Sequence, residues 1–201
     1  MHGLRREDNI LPLQSMRCRP SAPPLPARSL RAGLAALVVC AASAGWAQPV
    51  PREYAEITRL IGAGEHAQAL EVADRHLAER PRDPQLRFLR TLALSDAGRK
   101  PDAIAELAQL TRDHPELPEP HNNLAVLLAE RGEFDNARAA LESAIRANPT
   151  YAVAHENLGD IHARLAAQSW QRAVQLGAAP TATPKLTQMR QMLQQMANPP
   201  R

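Results

Sequence analysis

The sequence predicts an all-α fold of stacked helical hairpins, and three observations predict it. Pro81, Pro115 and Pro149 stand 34 residues apart, and Gly64, Gly98 and Gly132 keep the same step. Ala69, Ala103 and Ala137 keep it too, as do Leu60, Leu94 and Leu128. A period of this length is that of a helix–turn–helix pair whose apolar face is buried only by its neighbours. Aromatic residues make up only 3% of the chain while Ala and Leu abound, which suits closely approaching helices and offers little to strands.

The first 47 residues stand apart from the repeats. Arg28 and Arg31 precede the apolar run Ala32–Ala44, followed by Gly45-Trp46-Ala47. A charged region, a short apolar core and a small-x-small site predict a secretory signal, cleaved after Ala47. The apolar run of 13 residues is short of the roughly 20 needed to cross a bilayer. An uncleaved membrane anchor is the lesser alternative. Cys40 follows Val38 and Val39 rather than a small residue, which argues against lipid attachment there. The segment before Arg28 is longer and richer in proline than a signal requires, so Met16 is an alternative start.

Removing the signal changes the bulk statistics. Six of the 24 basic residues and two of the 21 acidic ones go with it, leaving 18 against 19 and a net charge near −1 instead of +3. A nucleic-acid footprint needs a dense basic face, so that class is excluded. Cys18 and Cys40 go as well, and the exported chain of 154 residues must stand on packing without a disulfide. That length suffices for one domain with a continuous core.

The repeats then follow in order, over about 50–83, 84–117 and 118–151, with an incomplete fourth at 152–177. In the first, Glu53–Ile61 forms a helix broken by Gly62-Ala63-Gly64, and a second helix runs from Glu65 to Arg80 with Ala69, Leu70, Ala73 and Leu77 on one face. The second opens at Asp83-Pro84, an N-cap with proline at the first helical position, where its missing N–H costs nothing. Leu86, Leu89, Leu92 and Leu94 face its core; Gly98 turns the chain, and Ala103, Ile104, Leu107 and Leu110 line the partner helix. In the third, Pro118–Arg131 and Phe134–Ala147 flank Gly132. Ala125 and Ala137 are small where the paired helices cross, because larger side chains would force the backbones apart.

The fourth unit breaks the period. Leu158-Gly159 keeps the step from Leu124-Ala125, but Ala166 stands where the turn glycine should fall. Ala166, Trp170 and Ala173 lie 29 residues after Ala137, Leu141 and Ala144, as though the turn had been deleted and the second helix joined to the first. This predicts one long helix over Ala152–Leu176 with a stripe of Leu158, Ile161, Leu165, Trp170, Ala173 and Leu176, capping the stack. Residues 178–183 read as a linker, with Gly177 leading into it, and Pro184 as the start of a short amphipathic helix (Leu186, Met189, Leu193, Met196). Asn198–Arg201 is expected to be a disordered tail.

The third unit resembles a tetratricopeptide repeat: Leu124-Ala125, Leu128, Gly132, Phe134, Ala137, Leu141, Ala144 and Pro149 match its consensus positions in order. The resemblance covers residues 50 to about 176. Ile57 and Thr91 stand where the first helix usually has a small residue, and His121 and His155 where it often has tryptophan. The resemblance implies a right-handed α-solenoid whose first helices line a concave groove for a protein or peptide partner. It places Asn122, Asn123, Glu119, Glu130, Glu156 and Asn157 on that groove.

Asn123 and Asn157 keep the 34-residue step, and an amide can both donate to and accept from a peptide backbone. The alternative is that Asn123 only bonds across neighbouring helices. The family's clamp for a terminal dicarboxylate uses Lys and Arg at groove positions that here hold Phe88, Glu119 and Asn157, so that ligand is not implied. The acidic character favours a basic or neutral segment.

Other chemistry finds little support. His155-Glu156-Asn157-Leu158-Gly159 lacks the second histidine of a zinc-protease helix, so no metal and no cofactor are expected. Ser95, Ser143 and Ser169 sit in helices without a nucleophile elbow, and there is no phosphate loop. Arg59, Arg87 and Arg90 read either as a basic patch or as a solvated face paired with acids. The expected function is therefore non-enzymatic: an adaptor, scaffold or assembly factor of a bacterial periplasm or cell envelope, without nucleic acid. The bacterial assignment rests on the brevity of the signal. The alternatives are homo-oligomerisation through the long helix, or an accessory role to an envelope enzyme such as a glycan synthase.

Overall fold

The computed structural model describes residues 51–197, all of whose regular structure is helical. The expected signal at 1–47, its cleavage site and the tail from Asn198 lie outside the described residues. Eight helices follow one another: α1 (Arg52–Gly62), α2 (His66–Glu79), α3 (Pro84–Asp96), α4 (Lys100–Asp113), α5 (Pro118–Glu130), α6 (Phe134–Ala147), α7 (Ala152–Gln175) and α8 (Ala179–Ala197). Each packs on the next, giving an α-solenoid of hairpins.

The 34-residue glycines have one backbone role. Gly64, Gly98 and Gly132 adopt φ of 76°, 79° and 79°, the left-handed region that L side chains avoid. Each follows the C-cap residue of a first helix, so that the next N–H reaches back to the leucine that shares the period. Glu65 N donates to the carbonyl of Leu60 at 2.9 Å, Arg99 N to that of Leu94 at 2.9 Å and Glu133 N to that of Leu128 at 3.0 Å. This closes the helix with carbonyls satisfied and reverses the chain within three residues. The Asp83 carboxylate caps α3 by accepting the Leu86 N–H at 3.0 Å, a contact worth about 1 kcal/mol.

The core runs along the stack in three linked clusters. Ile57, Leu60, Ala69 and Leu86 join α1 to α2 and α3. Phe88, Leu94, Ala103, Leu107 and Leu127 join α3, α4 and α5, and Ala125, Ala137, Leu141, Ala144 and Ile161 join α5, α6 and α7. The larger residues at the small-residue position are accommodated: Ile57 and Thr91 are buried, and the Thr91 hydroxyl donates to the carbonyl of Phe88 at 2.7 Å. Two neighbouring pairs of first helices also approach each other, α1 touching α3 and α5 touching α7, whereas α3 and α5, like the second helices, make no comparable approach. At those two junctions the stack bends towards its first helices.

The long α7 stands as expected, but its length has another cause. A fourth turn glycine, Gly177, adopts φ of 98°, and Ala178 N donates to the carbonyl of Ala173 at 2.9 Å in the same closing motif. Gly177, Ala182, Leu186 and Met189 lie 45 residues after Gly132, Ala137, Leu141 and Ala144. The turn is not deleted. The first helix of this unit is 11 residues longer than α5, close to three helical turns, which returns its apolar face to the same side. The second helix is α8, with Ala182 and Leu186 buried.

Residues 178–183 are consequently not a linker, and Pro184 does not start the helix. Helix α8 begins at Ala179, and Pro184 lies inside it on an exposed face, where the carbonyl it leaves unpaired can meet water. Leu176, expected in the buried stripe, is 71% exposed because the helix ends beside it.

Candidate partner-binding surface

The side of α5 and α7 towards which the stack bends brings together most of the residues singled out from the sequence. Asn122 and Asn157 are 3% and 1% exposed, and Asn157 Nδ2 donates to Asn122 Oδ1 at 2.9 Å. The pair that bonds across helices is thus Asn122–Asn157. Asn123 is half-buried and turns its Nδ2 to the carbonyl of Glu119, on its own helix, at 2.9 Å. Glu130 is exposed and pairs with Lys100 Nζ at 2.9 Å, tying the end of α5 to the start of α4.

Glu119 is half-buried and Glu156 exposed, and neither has an ion pair among the described residues. Asp160 lies one turn beyond Glu156. Burial raises its carboxyl above the ordinary range, nearby Arg164 opposes the rise and Glu156 adds to it. Arg164 does not neutralise Asp160 by direct pairing: its guanidinium lies 5.8 Å from the centre of the Phe134 ring. Asn157 Oδ1 is buried without a hydrogen-bond partner. The carboxylates of Glu119 and Glu156 are the acceptors this part of the first-helix surface offers, which suits a ligand that donates.

The histidines in place of tryptophan act locally. A ring nitrogen of His121 lies 3.3 Å from the carbonyl of Pro115, and one of His155 lies 3.0 Å from that of Pro149. Each ring fastens the first turn of its helix to the preceding loop. Burial holds the His121 imidazole below its ordinary range, and the Pro115 carbonyl opposes that. Among the described residues no three His, Cys, Asp or Glu side chains converge on a metal position.

The arginines of α3 do not form a patch. Arg87 pairs with Asp113 at 2.7 Å, and Arg90 pairs with Asp74 on α2 and Glu106 on α4. These bridges clamp successive helices. Arg59 is exposed on α1 and does not join them.

At the end of the stack, His155, Gly159 and His162 form an exposed stripe on α7. Their counterparts one period earlier, His121, Ala125 and Leu128, are buried or half-buried. This polar face closes the stack. Reading the sequence for repeats missed the basic residues beyond it, Arg172, Lys185 and Arg190. The signal that finds them is the absence of any acidic residue after Asp160.

A model of the family described as tetratricopeptide repeat matches the chain three times, over residues 54–118, 91–152 and 122–185. A TPR repeat-containing thioredoxin of Arabidopsis thaliana is 36% identical over 78 residues, 39% of this chain and 11% of that protein. A probable biofilm formation methyltransferase of Pseudomonas aeruginosa is 35% identical over 128 residues, 64% of this chain and 30% of that protein. The chain spans less than a third of the length of either relative.

Proposed function

The chain belongs to the tetratricopeptide-repeat family, and from that premise we propose that it is a non-enzymatic adaptor or assembly factor of a bacterial periplasm or cell envelope that holds a peptide segment of another protein. Repeats of this family mediate protein–protein interaction, and stacked hairpins provide an extended surface for it. The observation that carries the reading is the first-helix surface of α5 and α7, where Glu119 and Glu156 are accessible and not consumed by ion pairs.

Asn122 and Asn157 support that surface from beneath by fixing how α5 and α7 meet. Glu119, Asn123 and Glu156 are the contact positions. They favour a segment rich in backbone N–H groups or in basic side chains.

A photoreactive amino acid placed in living cells at Asn123 or at Glu156 tests this. The same group at Glu142, exposed on the second helix α6, is the control. Adducts with one defined protein from the first two positions and none from the third are expected. Equal labelling from all three would remove the basis for assigning this surface. Fractionation of the adducts between periplasm and cytoplasm checks the location separately.

A further inference from the structure

The chain is electrically divided at Asp160. Residues 51–160 carry 13 basic against 19 acidic residues, whereas residues 161–201 carry five basic and none acidic. The division coincides with a structural one. Up to α7 the helices form the stack; the last three turns of α7 and all of α8 form an arm, and α8 packs on α7.

Within the stack most cations have a carboxylate beside them, as in Arg80–Glu53, Arg87–Asp113, Arg90–Glu106, Lys100–Glu130 and Arg131–Glu133. The arm offers none. Arg190 donates to Gln171, Arg172 reaches Gln175 at 3.4 Å, and Lys185 is exposed. The large apolar side chains that are exposed among the described residues also lie there: Leu176 at 71% and Met192 at 41%. A hollow of about 290 Å³ opens between α7 and α8, bounded among others by Gln171, Arg172, Leu186 and Arg190.

Uncompensated charge, exposed apolar side chains and a hollow on one element mark a contact surface. The stack has the opposite excess, and Glu119, Glu156 and Asp160 on its first helices have no ion pair among the described residues. We propose that the α7–α8 arm docks onto the acidic first-helix surface of a second copy of this chain, a head-to-tail contact through Arg172, Lys185 and Arg190. The contact is heterologous, since arm and stack are different surfaces, so it can propagate from copy to copy. It rests on the reading of the first-helix side as a binding surface and assigns that surface a ligand, the basic arm.

Sedimentation of the full chain over a wide concentration range tests the proposal. Association is expected in about 20 mM salt and is expected to weaken at least about tenfold in about 500 mM salt, where charges are screened beyond roughly 4–5 Å. An arm variant, Arg172→Glu with Lys185→Glu and Arg190→Glu, should stay monomeric, as should a stack variant, Glu119→Lys with Glu156→Lys. Mixing the two should restore association with the variants in equal proportion, because their reversed charges complement; this also shows that both are folded.

A chain that is monomeric throughout, or an association that survives reversal of the arm, overturns the proposal. Loss of association in the arm variant alone overturns docking on the first-helix side but leaves that surface open to other ligands. If the monomeric chain instead binds phosphatidylglycerol vesicles through the arm, the partner is an anionic lipid surface and self-docking is wrong.

Discussion

Asn157 Nδ2 donates to Asn122 Oδ1 at 2.9 Å, joining the first helices of the third and fourth units across a buried contact. Removing one partner strands the other where water does not reach. Asn122→Ala should therefore lower stability by about 1–3 kcal/mol. The double variant with Asn157→Ala should cost less than the sum, with a coupling of about 0.5–3 kcal/mol. Urea unfolding of the four proteins measures it, and strict additivity would show that the amides do not act as a pair.

Gly132 and Gly159 should respond oppositely to alanine. A Cβ at either meets nothing within 4 Å, so space decides neither case. At Gly132, φ of 79° places the side chain against its own backbone, and Gly132→Ala should cost about 1–2 kcal/mol. Gly159 lies within α7, where glycine only adds freedom to the unfolded chain, and Gly159→Ala should stabilise by about 0.5–1 kcal/mol. Thermal melts of both variants decide it. A loss at Gly159 would mean that the position is not free.

Tyr54 on α1 donates its hydroxyl to Asp83 Oδ2 at 2.7 Å, linking the first helix to the cap of the third. Burial, and next the bond to Asp83, push the phenol up to about 12. Its folded value thus lies above the unfolded value of about 10, so this stabilisation is full below pH 10 and is lost as pH rises through 10 to 12. Tyr54→Phe should cost about 1–2 kcal/mol at pH 7, with a penalty that shrinks above pH 10. Chemical unfolding at pH 7 and 11 compares them, and a penalty unchanged at pH 11 would contradict the bond.

Asp160 runs the other way. Its carboxyl is raised by burial, so the folded chain holds the proton more tightly than the unfolded one. Its favourable contribution is present below the unfolded value of about 3.9 and is lost as pH rises through the folded value. At pH 7 the ionised group is therefore a cost, and Asp160→Asn should be more stable than the parent there. That advantage should disappear below about pH 4. An advantage of equal size at both pH values would assign the effect to packing instead.

The arm should open without the stack. Leu186 is buried on α8, and α8 packs on α7. Leu186→Ala removes apolar contacts worth about 2–4 kcal/mol there. Hydrogen exchange should then accelerate in α8 and the last turns of α7, while α2–α6 keep their protection, because each hairpin is held mainly by its neighbours. Acceleration spread evenly along the chain would show a single cooperative unit.

How much of this was legible in the sequence differs between elements. The first six helices are placed within one or two residues, because Gly64, Gly98, Gly132 and the prolines act on their own backbone. In the fourth unit the 29-residue match of Ala166, Trp170 and Ala173 to a second helix is coincidental. Small and apolar residues recur along any amphipathic helix, and only the left-handed turn at Gly177 shows where the chain reverses. Among the candidate binding residues, Asn122 and Asn157 look alike with Asn123 in the sequence. Which amides pair depends on how far α5 and α7 approach, and no local rule encodes that.

The sequence by itself determined the repeated hairpin, since helix ends and tight turns are decided by residues within a few positions of each other. The tertiary structure alone decided what each face of a helix meets. It made Gly159 exposed where Ala125 is buried, and it turned Asn157 inward and left Glu156 outward. It also folded the last helix, which carries no acidic residue, back onto the end of α7. Burial and pairing belong to surfaces brought together from distant parts of the chain, and those surfaces exist only once the hairpins are stacked.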